Sequence, residues 1–143
     1  MHTTISGSPS SDNTERKGRF AGSHVNLSAY YNRTGDAARA HDYAQQAIDL
    51  DPKSDRAWFQ RGRADEREGR LEAAVEALNQ AIVLNPRASS YYYVLASVYR
   101  RLGWMDQNRK ALEEFKRLEK ESGEIDKKRR GMGGSDDSGR PRE

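Results

Sequence analysis

The chain repeats itself every 34 residues, and this period constrains the fold more than any other feature of the sequence. Gly35, Gly69 and Gly103 are evenly spaced by that interval, as are Leu50, Leu84 and Leu118. Pro52 pairs with Pro86, Ala40 with Ala74, Ala47 with Ala81, Ile48 with Ile82, Leu27 with Leu95 and Tyr31 with Tyr99. Ser28, Gly62 and Ala96 are all small at a shared place in the period. Self-similarity at this length, carried by helical segments, marks a solenoid of helix–turn–helix units.

Each unit contains its own punctuation. The spacing predicts a first helix over about Ser23–Thr34, ended by Gly35, because a glycine just past a helix adopts the left-handed cap without steric cost. Asp36 opens the alanine-rich second helix, and Pro52 stops it. In the middle unit Asp55 is expected to cap a helix holding Trp58, Phe59 and Gly62. Leu71 to Leu84 then form its partner, closed by Asn85 and Pro86. In the third unit Ser89 or Ser90 caps a helix of Tyr91, Tyr92, Tyr93, Val94, Leu95, Val98 and Tyr99. A last helix runs from about Met105 to Glu121, with Leu112, Phe115 and Leu118 on one stripe. Asp106–Lys110 and Glu113–Arg117 fall four apart, as ion pairs along a helix do.

Composition supports a thin layered fold. Hydrophobic residues make up 34% of the 143, and charged residues 33%. A compact globule with so few bulky side chains is marginal, whereas stacked repeats need only bury small residues against their neighbours. The expected division is a disordered tail over 1–20, repeats over 21–54, 55–88 and 89–122, and a disordered charged tail over 123–143. The net charge of +3 is spread along the chain, which argues against a dedicated nucleic-acid binder. There is no cysteine, hence no disulfide or thiolate chemistry. No secretory leader or membrane-length apolar run is evident, so a cytoplasmic location and no membrane partner are expected.

Trp58, Gly62, Ala74, Leu78, Ala81 and Pro86 resemble the pattern of the tetratricopeptide repeat family. So do Leu27, Ser28, Tyr31, Ala40, Ala44, Ala47 and Pro52, and again Tyr92, Leu95, Ala96, Tyr99, Leu112 and Phe115. The resemblance covers about residues 21–122 and implies an all-α, right-handed superhelix of three helix pairs. Four positions depart from the pattern. Arg61 and Asp65 stand at a leucine and a tyrosine place, as an ion pair at i,i+4. Asn108 replaces an alanine and Lys120 a proline, so the last helix can run on as a polar terminal cap. Trp58, Tyr31, Tyr99 and Phe115 are expected to pack the core.

No catalytic motif is legible. There is no phosphate loop, no paired metal-ligand spacing and no nucleophile triad; His2, His24 and His41 stand apart. No enzyme activity, metal or cofactor is therefore expected. The resemblance instead implies a protein-interaction scaffold whose first helices line a concave groove. Carried onto this sequence, the groove positions are Val25, Ala29, Asn32 and Arg33, then Arg56, Phe59, Arg63, Glu66 and Arg67, then Ser90, Tyr93, Ser97, Arg100 and Arg101. Of these, Asn32, Arg33, Arg56, Phe59, Arg63, Arg67, Tyr93, Ser97 and Arg100 are the candidate peptide contacts. Arginine forks and aromatic anchors suit an extended acidic peptide, although Glu66 or Asp65 can neutralise Arg67. One subclass of the family grips the terminal carboxylate of chaperones with a lysine–asparagine–asparagine–lysine–arginine set. The matching positions here are Val25, Ala29, Gln60, Ser90 and Val94, none of them charged, which disfavours that ligand. Two alternatives remain: RNA or nucleoprotein binding through the arginines and Lys127–Arg130, and a fragment of a longer repeat protein.

Overall fold

A computed structural model describes residues 10–133, with side chains described for 16–131. Six helices follow in order: α1 (Ser10–Thr34), α2 (Ala37–Leu50), α3 (Asp55–Arg67), α4 (Leu71–Leu84), α5 (Ser89–Leu102) and α6 (Met105–Gly133). No strand occurs among the described residues. The helices pair as α1 with α2, α3 with α4 and α5 with α6, and each pair docks on the next through α2–α3 and α4–α5. In addition α1 touches α3 and α3 touches α5, while among the described residues α2 and α4 do not meet. A layer whose members touch is shorter than one whose members do not. The stack therefore curves with α1, α3 and α5 on its inner side.

The period reappears in the backbone. Among the described glycines Gly35, Gly69 and Gly103 alone have positive φ, at 96°, 83° and 80°. That conformation turns each first helix sharply into its partner. Asp36 caps α2 as expected, its Oδ1 accepting from the Arg39 amide at 3.2 Å. Two other caps differ from expectation. Ser54, not Asp55, caps α3, its Oγ accepting from Ala57 N at 3.2 Å. Ala88 opens α5 with no side-chain cap, because the Ser89 hydroxyl donates to Glu119 of α6 instead.

Helix ends are the main correction. The first helix begins at Ser10 rather than Ser23, and the last continues to Gly133 rather than stopping at Glu121. Residues 10–20 and 123–133 thus belong to helices, and the tails placed at 1–20 and 123–143 are shortened accordingly. Nucleating a helix is the costly step, and neither stretch contains a proline to stop one already running. Glu15, Arg16, Lys17 and Arg19 at one end, and Glu124 with Lys127–Arg130 at the other, are adequate helix formers. A Cβ added at Gly18, Gly22 or Gly123 meets no atom within 4 Å, so these glycines are not held by packing. The remaining tail residues, 1–9 and 134–143, lie outside the described residues.

Two clusters form the core. Ala21, Val25, Ala47, Ile48 and Ala57 join the first pair to α3, with Trp58 and Leu50 against them. Ala74, Val75, Leu78, Leu95 and Val98 join the second pair to α5, with Phe59, Ile82 and Tyr99 alongside. Within each pair the helices cross at the small-residue position. In the middle pair Gly62 lies so close to α4 that an added Cβ would sit 2.9 Å from Leu78 Cγ and 3.4 Å from Ala74 O. The outer pairs fill the same crossing with a polar tie. Ser28 Oγ donates to Ala40 O at 2.7 Å, and Asn108 Nδ2 donates to Ala96 O at 2.7 Å. Asn108 is thus a fastener where an alanine would have been silent.

The surface pairs on α6 also shift from expectation. Asp106 pairs with Arg109 at 3.2 Å rather than with Lys110. Arg117 pairs with Glu114 at 2.8 Å and Glu121 at 2.6 Å rather than with Glu113. A guanidinium fork reaches carboxylates on both neighbouring turns at once.

Candidate functional site

The inner face is built from the outward stripes of α1, α3 and α5, and its candidate residues divide into three groups. Some are consumed by the fold. Asn32 is buried, and its Nδ2 donates to Gln60 O at 3.1 Å and Gln60 Oε1 at 2.8 Å, binding the first repeat to the second. Val25 lies in the core. Phe59 is half-buried and stacked on Tyr91, ring centroids 4.6 Å apart. It does not project freely into the groove.

A second group is tethered but reaches the surface. The Arg56 guanidinium donates to Asn26 Oδ1 at 3.2 Å. Arg101 donates to Glu66 O at 3.1 Å and pairs with the Glu66 carboxylate at 3.6 Å. Glu66 is therefore occupied across the α3–α5 junction and does not neutralise Arg67, nor does Asp65. Arg63 stands over the Phe59 ring, 5.8 Å from its centroid, so the Phe59–Tyr91 stack supports a cation on the ring face of Phe59.

The third group is exposed. Arg33, Arg67, Tyr93 and Arg100 face solvent, and Ser97 is partly covered. Tyr93 leans on Phe115 of α6, centroids 5.3 Å apart. Arg33, Arg63, Arg67 and Arg100 make no ion pair among the described residues. Among the described residues the arginines of this face thus outnumber its one carboxylate, Glu66, which Arg101 already holds.

Two polar networks underlie this face, and sequence reasoning found only part of either. Asp65 is buried, and Arg70 Nε donates to its Oδ1 at 3.2 Å. Arg61 Nε lies 3.7 Å from Oδ2, and His41 Nε2 of the first repeat lies 3.6 Å from Oδ1. The anticipated Arg61–Asp65 pair is thus one edge of a cluster spanning two repeats. The second network starts at Asp55, whose Oδ2 accepts from the Tyr91 hydroxyl and, at 3.1 Å, from Asn85 Nδ2. Burial pulls the Asp55 carboxyl up, but the bonds from Tyr91 and Asn85 outweigh it and hold it below the usual range. Burial, then the bond to Asp55, pushes the Tyr91 phenol well up. The signal for this network was Tyr91 itself, a large residue where the period otherwise places Ser23 and Ala57.

Away from the inner face, a hollow of about 240 Å³ lies between α4, α5 and α6, lined by Ile82, Tyr92, Leu95, Tyr99, Lys110 and Ala111 among others. It was not foreseen. Among the described residues no group of acidic, histidine or cysteine side chains is placed to hold a metal ion, and no helix is long and apolar enough to cross a membrane.

Comparison with known proteins agrees with this architecture. A tetratricopeptide repeat model matches residues 33–98, and a second tetratricopeptide repeat model matches residues 89–122. Superkiller protein 3 of Schizosaccharomyces pombe (strain 972 / ATCC 24843) is 29% identical over 94 residues, 66% of this chain but only 7% of that protein's length. A crystal structure of MamA superposes with a TM-score of 0.66 at 28% identity, covering 68% of this chain and 57% of that one. The second TPR of Spaghetti (RPAP3), bound to an HSP90 peptide, superposes with a TM-score of 0.71 at 20% identity, covering 75% of this chain and 98% of that one. With matches running from residue 33 to residue 122, on helix pairs stacked as that repeat requires, the chain belongs to the tetratricopeptide repeat family.

Proposed function

We propose that this protein is a non-enzymatic interaction scaffold that holds an extended, acidic peptide along the face formed by α1, α3 and α5. Family membership supports the scaffold, because stacked helix pairs present a continuous inner surface to an elongated partner. The acidic character is supported by one observation. Arg33, Arg63, Arg67 and Arg100 are without carboxylate partners among the described residues, while the nearby Glu66 is committed to Arg101. A guanidinium offers a planar pair of donors to a carboxylate, and a row of them favours an acidic chain laid across successive repeats.

Tyr93 gives the same surface an apolar contact, being 57% exposed beside the α5 arginines. Phe59 acts from beneath, fixing Arg63 through the ring face rather than inserting into the ligand. A tetratricopeptide domain of similar fold is bound to the HSP90 peptide SRMEEVD, so an acidic peptide is a ligand this fold can hold. The grip would differ here. Of the positions matching the chaperone clamp, Val25 is buried and Gln60 is taken by Asn32.

The test is a fluorescence-polarisation screen of extended peptides against the whole chain. Each acidic peptide is paired with a version carrying Asn and Gln for Asp and Glu. Acidic peptides should bind and their amide versions should not. Arg63→Ala with Arg100→Ala should weaken the best binder tenfold or more, since central arginines commonly carry about 2 kcal/mol each. Equal binding of both peptide series would refute the acidic reading. A single-stranded RNA probe binding more tightly than any peptide, with affinity falling steeply on a log–log salt plot, would replace it.

A further inference from the structure

We infer that the first repeat carries a second interaction surface, on the outer side of α1, and that a second copy of this chain occupies it. The inference is independent of the inner-face reading. It rests on one comparison that the 34-residue period makes possible. Ser23, Leu27 and Tyr30 of α1 correspond to Ala57, Arg61 and Ala64 of α3, and to Tyr91, Leu95 and Val98 of α5. In the later repeats these positions are buried, except Arg61, which is partly exposed and turns to Asp65 and Trp58 of its own helix. Ala57 packs on Val25, Ala47 and Ile48, while Leu95 and Val98 pack on Ala74, Val75 and Leu78. Ala57, Ala64 and Val98 are 0% exposed, Leu95 3% and Tyr91 6%, whereas Leu27 is 40% exposed and Tyr30 50%. Phe20, one turn earlier on the same stripe, is 52% exposed.

The opposite end of the stack presents charge at the matching places. Where the first two repeats cover the next one with Ile48 and Ile82, the third has Lys116, and Val75 is replaced by Arg109. Both are exposed. Head-to-tail stacking of copies would set Lys116, and Arg109 with its partner Asp106, against Leu27 and Tyr30, a desolvation cost that an apolar seam does not carry. Like must therefore meet like, through a two-fold axis.

The stripe suits that arrangement. Phe20, Ser23, Leu27 and Tyr30 follow steps of 3, 4 and 3, the spacing of a helix seam that packs against another helix. Run antiparallel about a point level with Val25, the seam complements itself. Phe20 comes opposite Tyr30 of the second copy, and Ser23 opposite Leu27 of the second copy, small against large. A hollow lined by Phe20, His24, Gln46, Asp49 and Leu50 opens beside the first of these pairs, with Asp49 and Gln46 able to accept the tyrosine hydroxyl.

Sedimentation equilibrium on the whole chain tests this, from about 1 µM to about 500 µM, a range that covers the weak dimers expected of a short seam. The expected result is a monomer–dimer equilibrium. Leu27→Glu with Tyr30→Glu should weaken it at least about a hundredfold, as charges buried without partners do. Helical circular dichroism should be unchanged, because both residues lie on the surface. The chain has no cysteine, so single thiols report the register. A mixture of Ser23→Cys and Leu27→Cys should cross-link under mild oxidation, while either variant alone should not. A monomer throughout the range, or a dimer indifferent to the two glutamates, overturns the inference. Cross-linking of each variant by itself overturns the antiparallel register.

Discussion

Replacing Gly62 with alanine sets two known effects against each other at one atom. In an exposed helix interior this change stabilises by about 1 kcal/mol, because glycine gives up more backbone freedom than alanine on folding. At Gly62 the new methyl would sit 2.9 Å from Leu78 Cγ and 3.2 Å from Leu78 Cδ2. The nearer atom is the branch point of a side chain that is 0% exposed, not the free end of a flexible one. Relief requires Leu78 to leave its rotamer or α3 and α4 to separate by several tenths of an ångström. Overpacking of this kind costs about 1–3 kcal/mol, so the net effect is a loss of up to about 2 kcal/mol. At about 4–8 °C per kcal/mol for a domain of this size, the melting temperature should fall measurably. Gly123→Ala is the matched control, with nothing within 4 Å of its added Cβ; it should be neutral or stabilising by about 0.5–1 kcal/mol. Thermal melts by circular dichroism read both variants. If Gly62→Ala melts at or above the wild type, close approach at that crossing is not what holds α3 against α4.

Asp65→Ala should cost about 2–4 kcal/mol by urea denaturation, because it removes the buried carboxylate that Arg70, Arg61 and His41 share. Asn108→Ala should cost about 1 kcal/mol in the same assay, freeing Ala96 O at the α5–α6 crossing. The pair formed by Asp55 and Tyr91 contributes to stability at both ends of the pH range. The Asp55 carboxyl is lowered by folding, so its contribution is complete above the ordinary 3.8 and fades as pH falls through the lower folded value. The Tyr91 phenol is raised, so its contribution is complete below 10.0 and fades as pH rises toward the folded value. Asp55→Asn should flatten the acid limb of a stability–pH curve, and Tyr91→Phe the alkaline limb.

The period made the pairing of helices legible, because glycines at positive φ and small crossing residues must recur wherever the backbone recurs. Helix ends were less legible. Their limits depend on whether a running helix meets a stop, and the charged stretches around Arg16 and Lys127 supply none. The groove was legible as a set of positions but not as a set of available side chains. Asn32 and Phe59 occupy groove positions, yet Gln60 and Tyr91 claim them, and both partners lie in the following repeats. The Asp65 cluster shows the same limit. Its bond to Arg70 crosses a turn and its approach to His41 joins α2 to α3, separations that helical spacing does not address.

The most direct measurement is a nuclear magnetic resonance titration of the whole chain with the best acidic peptide, following backbone amides. Shift changes should concentrate on Arg33, Arg63, Arg67, Tyr93, Ser97 and Arg100, and should be largely lost with Arg63→Ala and Arg100→Ala. Changes centred instead on Ile82, Tyr92, Lys110 and Ala111 would place the ligand in the hollow between α4, α5 and α6 and contradict binding on the inner face.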